Sequence, residues 1–171
     1  SWPRSMQIVL PHPLQAAGRT FKSIVVNNYA TEEGYAPEGC SVITCLLHGP
    51  TYGYWKAAKE DGSYAAKKKE VMADFIEAIS EVIPEIKDAV AVTDMATPLT
   101  YERYCSTFEG SYMTDWPPFR RLYHAPVRYH EGLYFTGQRT AYSGGLPPAA
   151  QSGRTTAQTV CKDLGVEFVG A

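Results

Sequence analysis

Gly132-Leu-Tyr-Phe-Thr-Gly-Gln138 is followed closely by Ser143-Gly-Gly-Leu-Pro-Pro-Ala-Ala-Gln-Ser-Gly-Arg154. A short apolar run that ends in glycine predicts a strand over residues 133–136. The glycine pair that follows permits a tight turn, and the prolines predict a helix from about Pro147 to Leu164. Gly165 is the natural C-cap. This strand–turn–helix order brings backbone close to whatever lies at the turn.

The turn residues are suited to contact a polar cofactor. Gly137 follows the strand directly and lets the backbone pass close to a ligand, because it has no Cβ. Gln138 can donate and accept hydrogen bonds. Gly144 and Gly145 allow backbone angles that other residues rarely adopt.

The predicted helix start is suited to bind negative charge. Pro147 and the proline after it have no N–H, so we expect the donors there to be the amides of Gly145, Leu146 and Ala149. These amides lie at the positive end of the helix dipole, which stabilises an anion. The residues alone leave open the alternative of an ordinary strand–turn–helix without a ligand.

Composition excludes several classes of protein. The chain has 171 residues, 44% of them hydrophobic, and a net charge of -2, which gives no electrostatic reason to expect a nucleic acid partner. It has no apolar run of the roughly 20 residues that span a membrane. The four cysteines and four histidines have no metal-site spacing, so no metal is expected. Cys40 and Cys45 are predicted to be buried thiols, which favours a reducing, cytoplasmic location.

The rest of the chain predicts an α+β fold, with an antiparallel or mixed sheet and one long helix on a face. Residues 1–20 are interrupted by proline and glycine and are interpreted as an irregular segment with one extended piece, residues 7–10, which Pro11 and Pro13 should stop. Apolar spacing predicts a helix over about residues 63–82, which Pro84 should end. Thr97-Pro98 is typical of the start of a short helix. Strands are predicted over residues 21–29, 40–47 (as a central strand) and 89–96.

Two parts of the chain resemble phytoene dehydrogenase-like FAD oxidoreductases, within the wider amine-oxidase-type flavoprotein group. The run GLYFTGQ…SGGLPPAAQSGRTTAQ is similar to that family's C-terminal flavin signature. The runs YAPEGCSVITCLLHGPTYGYWK and VTDMATPLTYERYCSTFEGSYMTDW are similar to its substrate-domain region and come in the family's order. Together they cover about residues 21–164.

The resemblance implies a role for each matched part. Residues 21–118 would form part of a substrate-binding domain, and residues 119–171 a C-terminal FAD-binding segment. The backbone N–H of Leu146 would face the flavin N1–C2=O edge, and Ser152-Gly153 would serve helix packing. The residues implied at the FAD are Gly137, Gln138, Gly144, Gly145, Leu146, Pro147 and Ala149. An apolar substrate would be lined by Tyr101, Tyr104 and Tyr112, although these tyrosines could equally cover the rim of the core.

The chain departs from the family at Pro148, where many relatives have glycine, and above all in what it lacks: it contains no G-x-G-x-x-G, the motif that holds the FAD diphosphate. We therefore expect the C-terminal portion of an FAD-dependent dehydrogenase or desaturase whose parent would dehydrogenate or isomerise an apolar polyene. Alone, it should bind FAD weakly or not at all and be inactive. Peripheral membrane association of the parent and a homodimer through an unpaired strand 133–136 are further expectations. A non-catalytic assembly module and an amine-oxidase-like fragment are the alternatives.

Overall fold

The computed structural model describes residues 2–111, 127–138, 140 and 145–170, with only the backbone of 127–129. The chain divides into two units, residues 1–110 and residues 111–171. Both units combine helices with antiparallel strands, which confirms the predicted α+β class. The roles predicted for the segments 21–118 and 119–171 stay predictions.

The first unit is built on a three-stranded antiparallel sheet in the order β1-β2-β3. Strand β1 (Ser5–Ala16) pairs with β2 (Arg19–Asn28), and β3 (Ile43–Cys45) pairs with the other side of β2. Ala17 and Gly18 connect β1 to β2 with φ of 50° and 73°. Positive φ at both turn residues matches the right-handed twist of the two strands.

The prediction of an irregular segment over residues 1–20 is wrong, because β1 occupies most of it. The ladder pairs Val9 with Ser23 and then Leu14 with Phe21, so the residues between Val9 and Leu14 bulge out of register. Pro11 and Pro13 lie in this bulge, where a strand can do without their missing N–H groups. The prolines therefore interrupt the ladder locally and do not end the strand.

Two predicted strands are also corrected. The central strand over residues 40–47 is reduced to β3 at an edge of the sheet, with Ile43 39% exposed. Residues 89–96 form no strand, and Val92 is 87% exposed. Apolar runs of this length fit several environments, and here no neighbouring strand meets them among the described residues.

The helices of the first unit are α1 (Tyr52–Glu60), α2 (Tyr64–Ser80) and α3 (Pro98–Cys105), with short 3₁₀ turns at Pro84–Ile86 and Phe108–Gly110. Helix α2 is the long predicted helix, and Pro84 lies beyond its end as expected. Helix α1 was not predicted from the sequence. Ser63 occupies the N-cap position of α2, but its side chain makes no cap hydrogen bond. Its N–H instead donates to Asp61 Oδ1 at 2.8 Å.

The core lies between the sheet and α2, which packs on β1. Val26 is 1% exposed and Ile79 is 2% exposed. Burying each such side chain stabilises the fold by about 1.5–3 kcal/mol. The buried apolar residues are Ile8, Leu10, Leu14, Ala16, Ile24, Val26, Trp55, Ala58, Val71, Ala78, Ile79 and Ile86.

Helix α3 begins as the sequence predicted. Thr97 accepts from the N–H of Thr100 and its own N–H donates to the Thr100 hydroxyl, which is a capping box. Thr97 is 2% exposed, and its hydroxyl also bonds to the Tyr64 hydroxyl at 2.8 Å. The helix is therefore tied to α2 at its N-cap residue.

The second unit contains β4 (Val127–His130), β5 (Leu133–Phe135) and α4 (Leu146–Leu164). Strands β4 and β5 form an antiparallel hairpin, so β5 is not the unpaired strand that was expected. Strand β4 supplies its partner. Gly165 ends α4 in the left-handed conformation with φ of 68°, as predicted.

Candidate functional site

The hydroxyl of Ser152 joins the end of β5 to the second turn of α4. The N–H of Gly137 donates to Ser152 Oγ at 3.0 Å. Thr140 Oγ1 lies 2.8 Å and Thr136 Oγ1 lies 3.2 Å from the same oxygen. A Cβ at Gly153 would lie 3.9 Å from Thr136 Oγ1. Ser152 thus bonds α4 to the turn, whereas a Cβ at Gly153 would make only an ordinary contact, so the helix-packing role implied for Ser152-Gly153 stays a prediction.

The two described glycines of the predicted site have backbone angles that favour glycine. Gly137 has φ of 114° and Gly145 has φ of 107°. A Cβ at either position would meet nothing within 4 Å, so both present open backbone. Glycine is needed at these positions for conformation, and the space beside them is available to a ligand.

The three predicted amide donors differ in their partners. The N–H of Ala149 donates to the Gly145 carbonyl at 3.1 Å, so Ala149 offers no donor to a ligand and that expectation is wrong. The N–H of Gly145 makes a long bond, 3.4 Å, to Gln138 Oε1. The N–H of Leu146 has no acceptor among the described residues, and Leu146 is 86% exposed. Leu146 is therefore the open donor at this helix start.

The charge distribution along α4 favours an anion at its beginning. The first turn contains no acidic residue, and its proline removes a donor that would otherwise be unsatisfied. Near the other end, the Tyr134 hydroxyl donates to Asp163, which ties β5 to the last turn. Among the described residues, no carboxylate in the first turn offsets the positive end of the dipole at Leu146.

These residues fit one edge of an FAD molecule. The donor set is a single open N–H at a helix N-terminus beside two glycines with open backbone, which suits a carbonyl or phosphate oxygen that carries negative charge. Pro147 supplies the fixed helix start and no donor. Gly144, also implied at the cofactor, lies outside the described residues.

Two of the tyrosines implied at the substrate, Tyr101 and Tyr104, lie on α3, in the first unit. Tyr101 is half-buried, whereas Tyr104 is 73% exposed with the Arg103 guanidinium 5.1 Å from the centre of its ring. Tyr112 lies outside the described residues. A cleft of about 390 Å³ occurs elsewhere, between the start of β1 and the residues after α2, and neither tyrosine lines it. Its lining is Trp2, Pro3, Met6, Gln7, Ile8, Val9, Val82, Ile83 and Glu85.

One polar contact joins α3 to α1: Glu102 accepts the Tyr52 hydroxyl at 3.0 and 3.2 Å. This hydrogen bond, with smaller effects of desolvation and of nearby acidic groups, raises the pKa of Tyr52 above its usual value of 10.0. Arg103 is left to stack on Tyr104.

The remaining chemical groups give no second centre in the described part of the chain. No cluster of three or more His, Cys, Asp or Glu there could hold a metal ion. Cys40 is exposed, which corrects the prediction that it is buried, whereas burial raises the pKa of Cys45 to about 11. None of the helices in the same residues is long and apolar enough to cross a membrane.

Sequence reasoning missed two members of the Ser152 network. Thr136 and Thr140 were given no role, and neither was the contact between Gln138 and Gly145. The available signal was the pair of threonines on either side of Gly137-Gln138, since short hydroxyl side chains near a turn commonly bond to nearby polar groups.

Comparison with known proteins gives one family. The family model described as flavin containing amine oxidoreductase matches residues 3–161. No curated protein and no solved structure matches the chain.

Proposed function

Because the chain belongs to the family of flavin-containing amine oxidoreductases, we propose that it carries the flavin-edge segment and part of the substrate domain of an FAD-dependent oxidoreductase. The observation that carries the proposal is the open N–H of Leu146, between the positive-φ glycine at 145 and the uncompensated start of α4. This N–H would hold the flavin edge where negative charge develops on reduction.

The other residues of the segment have supporting roles. Gly137 would let the cofactor approach the end of β5, and Gln138 would orient the turn through its bond to Gly145. FAD, when bound, would accept the hydride that the substrate loses.

The expected affinity of this chain alone for FAD is weak. One charge-assisted hydrogen bond contributes about 1.5–3 kcal/mol, and the helix dipole about 0.3–1 kcal/mol. Together these contributions come close to the roughly 4 kcal/mol of binding free energy that gives a millimolar Kd. The free-energy cost of association has still to be subtracted from them. The 171 residues contain no G-x-G-x-x-G to add the diphosphate contacts.

For the substrate we propose an apolar polyene, in a phytoene desaturase-like reaction. The support is the resemblance of residues 35–56 and 92–116, together with exposed aromatic surface in the first unit. Tyr104 and Phe108 leave 73% and 82% of their surface exposed. Delivery of such a substrate would require peripheral contact with a membrane, which flotation with vesicles would test.

The purified chain provides the first test. We expect no bound flavin in its absorbance spectrum and an FAD titration that saturates only at millimolar concentration. Stoichiometric, tightly held FAD would contradict the proposed weak site. Light scattering on the same sample would test the homodimer expected from the sequence, for which the pairing of β5 with β4 removes the original reason.

The second test is expression together with the coding sequence that precedes Ser1. The proposal would be supported by a G-x-G-x-x-G in that sequence, by bound FAD, and by a red shift of the polyene's absorbance as its conjugation lengthens. Hydrogen peroxide release from amines, with no change in the polyene, would favour the amine-oxidase-like alternative. Absence of FAD and of any turnover would favour the assembly module.

A further inference from the structure

We propose that Ser152 is the positioning residue of the flavin edge, because its single hydroxyl fixes the Gly137 turn relative to the Leu146 N–H. This inference rests on the proposed function and adds a residue whose own contacts are all internal. It depends on the direction of each hydrogen bond around Ser152 Oγ.

The directions follow from the number of protons available. Thr140 Oγ1 donates its one proton to the Gly137 carbonyl at 2.9 Å. In the 2.8 Å contact between Thr140 Oγ1 and Ser152 Oγ, Thr140 must therefore accept, and Ser152 must donate. The proton of Ser152 is then used.

The other two contacts must end on the lone pairs of Ser152. The Gly137 N–H donates to the first at 3.0 Å. Thr136 Oγ1 can reach Ser152 Oγ at 3.2 Å only as a donor, and it fills the second. A serine hydroxyl has one proton and two lone pairs, so Ser152 is saturated by these three partners.

The network fixes both sides of Gly137. Its N–H is held by Ser152, and its carbonyl accepts both the N–H and the hydroxyl of Thr140, at 3.0 and 2.9 Å. Ser152 lies on the same helix as Leu146, one and a half turns further along. The hydroxyl therefore sets the distance between the open backbone at Gly137 and the open donor at Leu146.

The test uses the whole chain, nuclear magnetic resonance and three substitutions. Ser152→Ala removes all three bonds, Ser152→Thr keeps the hydroxyl, and Thr155→Ala is the matched control. The Thr155 hydroxyl bonds to Gln151 within α4 and not to the turn. Thr140→Val serves as a second disruptive variant if Ser152→Ala does not fold.

Two readouts separate positioning from general stability. Hydrogen exchange of the Gly137 amide should become about tenfold faster or more in Ser152→Ala and in Thr140→Val, since each loses bonds worth roughly 1 kcal/mol apiece. In an FAD titration, the shift of the Leu146 amide resonance should require several-fold more FAD in these variants. Ser152→Thr should restore both readouts, and Thr155→Ala should change neither.

Each outcome decides something. Unchanged Gly137 exchange in Ser152→Ala would overturn the hydrogen-bond assignment. Faster exchange with an unchanged FAD dependence of Leu146 would overturn the positioning role and leave the proposed function intact. If the Leu146 resonance of the unmodified chain does not respond even to millimolar FAD, the proposed weak flavin site fails, and this inference fails with it.

Discussion

Replacing Gly110 with alanine should destabilise the first unit strongly. Gly110 is buried at the end of the 3₁₀ turn after α3 and has φ of 63°. A Cβ there would overlap the carbonyl of Pro98 and lie 2.6 Å from its Cα. Both are backbone atoms at the start of α3, so they cannot move aside as a flexible side chain could.

The magnitude is the sum of two costs. A left-handed conformation costs an alanine about 1–2 kcal/mol. Overlap with fixed atoms in a packed site adds about 1–3 kcal/mol. We therefore expect Gly110→Ala to lower the free energy of unfolding by about 2–5 kcal/mol.

A matched control separates the two costs. Gly62 lies between α1 and α2 with φ of 79°, and a Cβ there would meet nothing within 4 Å. Gly62→Ala should therefore cost only the conformational part, about 1–2 kcal/mol. Urea unfolding followed by far-ultraviolet circular dichroism measures both variants. Equal losses in the two variants, or a loss below about 1 kcal/mol in Gly110→Ala, would refute the steric argument.

Three further predictions concern single side chains of the first unit. Thr97→Ala should lower the free energy of unfolding by about 2–4 kcal/mol, because it removes the cap of α3 and the partner of the Tyr64 hydroxyl. A loss no larger than that of Tyr64→Phe would contradict the capping role of Thr97. Glu102→Gln should lower the pKa of Tyr52 towards 10.0 in an ultraviolet titration, and an unchanged curve would refute the assigned cause. Because the pKa of Tyr52 is raised in the folded chain, its bond to Glu102 contributes to stability below pH 10.0. This contribution is lost as the pH rises through the pKa of Tyr52 in the folded chain. Cys45, with a pKa of about 11, should be the slowest thiol to react with a disulfide reagent below pH 9.0. Its contribution to stability should be lost as the pH rises from 9.0 to about 11. Reaction at the rate of the exposed thiols would argue against its burial.

Local patterns with a physical mechanism predicted the parts of the fold that they govern. Val71 and Ile79 recur at helical spacing and are buried in α2, as the period implies. Thr97 caps α3 and Gly165 ends α4 because each signal concerns groups within one turn of the residue. Such elements depend little on the rest of the chain.

The strands could not be predicted equally well, since strand formation depends on a distant partner. Pro11 and Pro13 indicated irregular structure, yet β2 pairs with β1 on both sides of the bulge that contains them. Residues 89–96 have the apolar character of a strand, and the described residues provide no strand beside them.

In the candidate site, too, the local features could be predicted from the sequence and the long-range contacts could not. Leu146 as donor followed from the prolines at the helix start, which is a local argument. The hydrogen bonds of Ser152 reach Thr140, Gly137 and Thr136, which are 12, 15 and 16 residues away. No spacing rule connects them, because the turn conformation decides which hydroxyl meets which. Ala149 failed as a donor since the first helical bond uses its N–H.

The proline-containing bulge of β1 also bears on how the protein behaves at high concentration. Strand β1 is an outer strand of its sheet, and such edges can recruit a strand from another molecule and start aggregation. Pro11 and Pro13 have no N–H to offer an incoming strand, and His12 between them makes a 3.0 Å hydrogen bond with Glu81. The residues that made β1 look irregular in the sequence thus make its outer edge a poor template for intermolecular β-sheet.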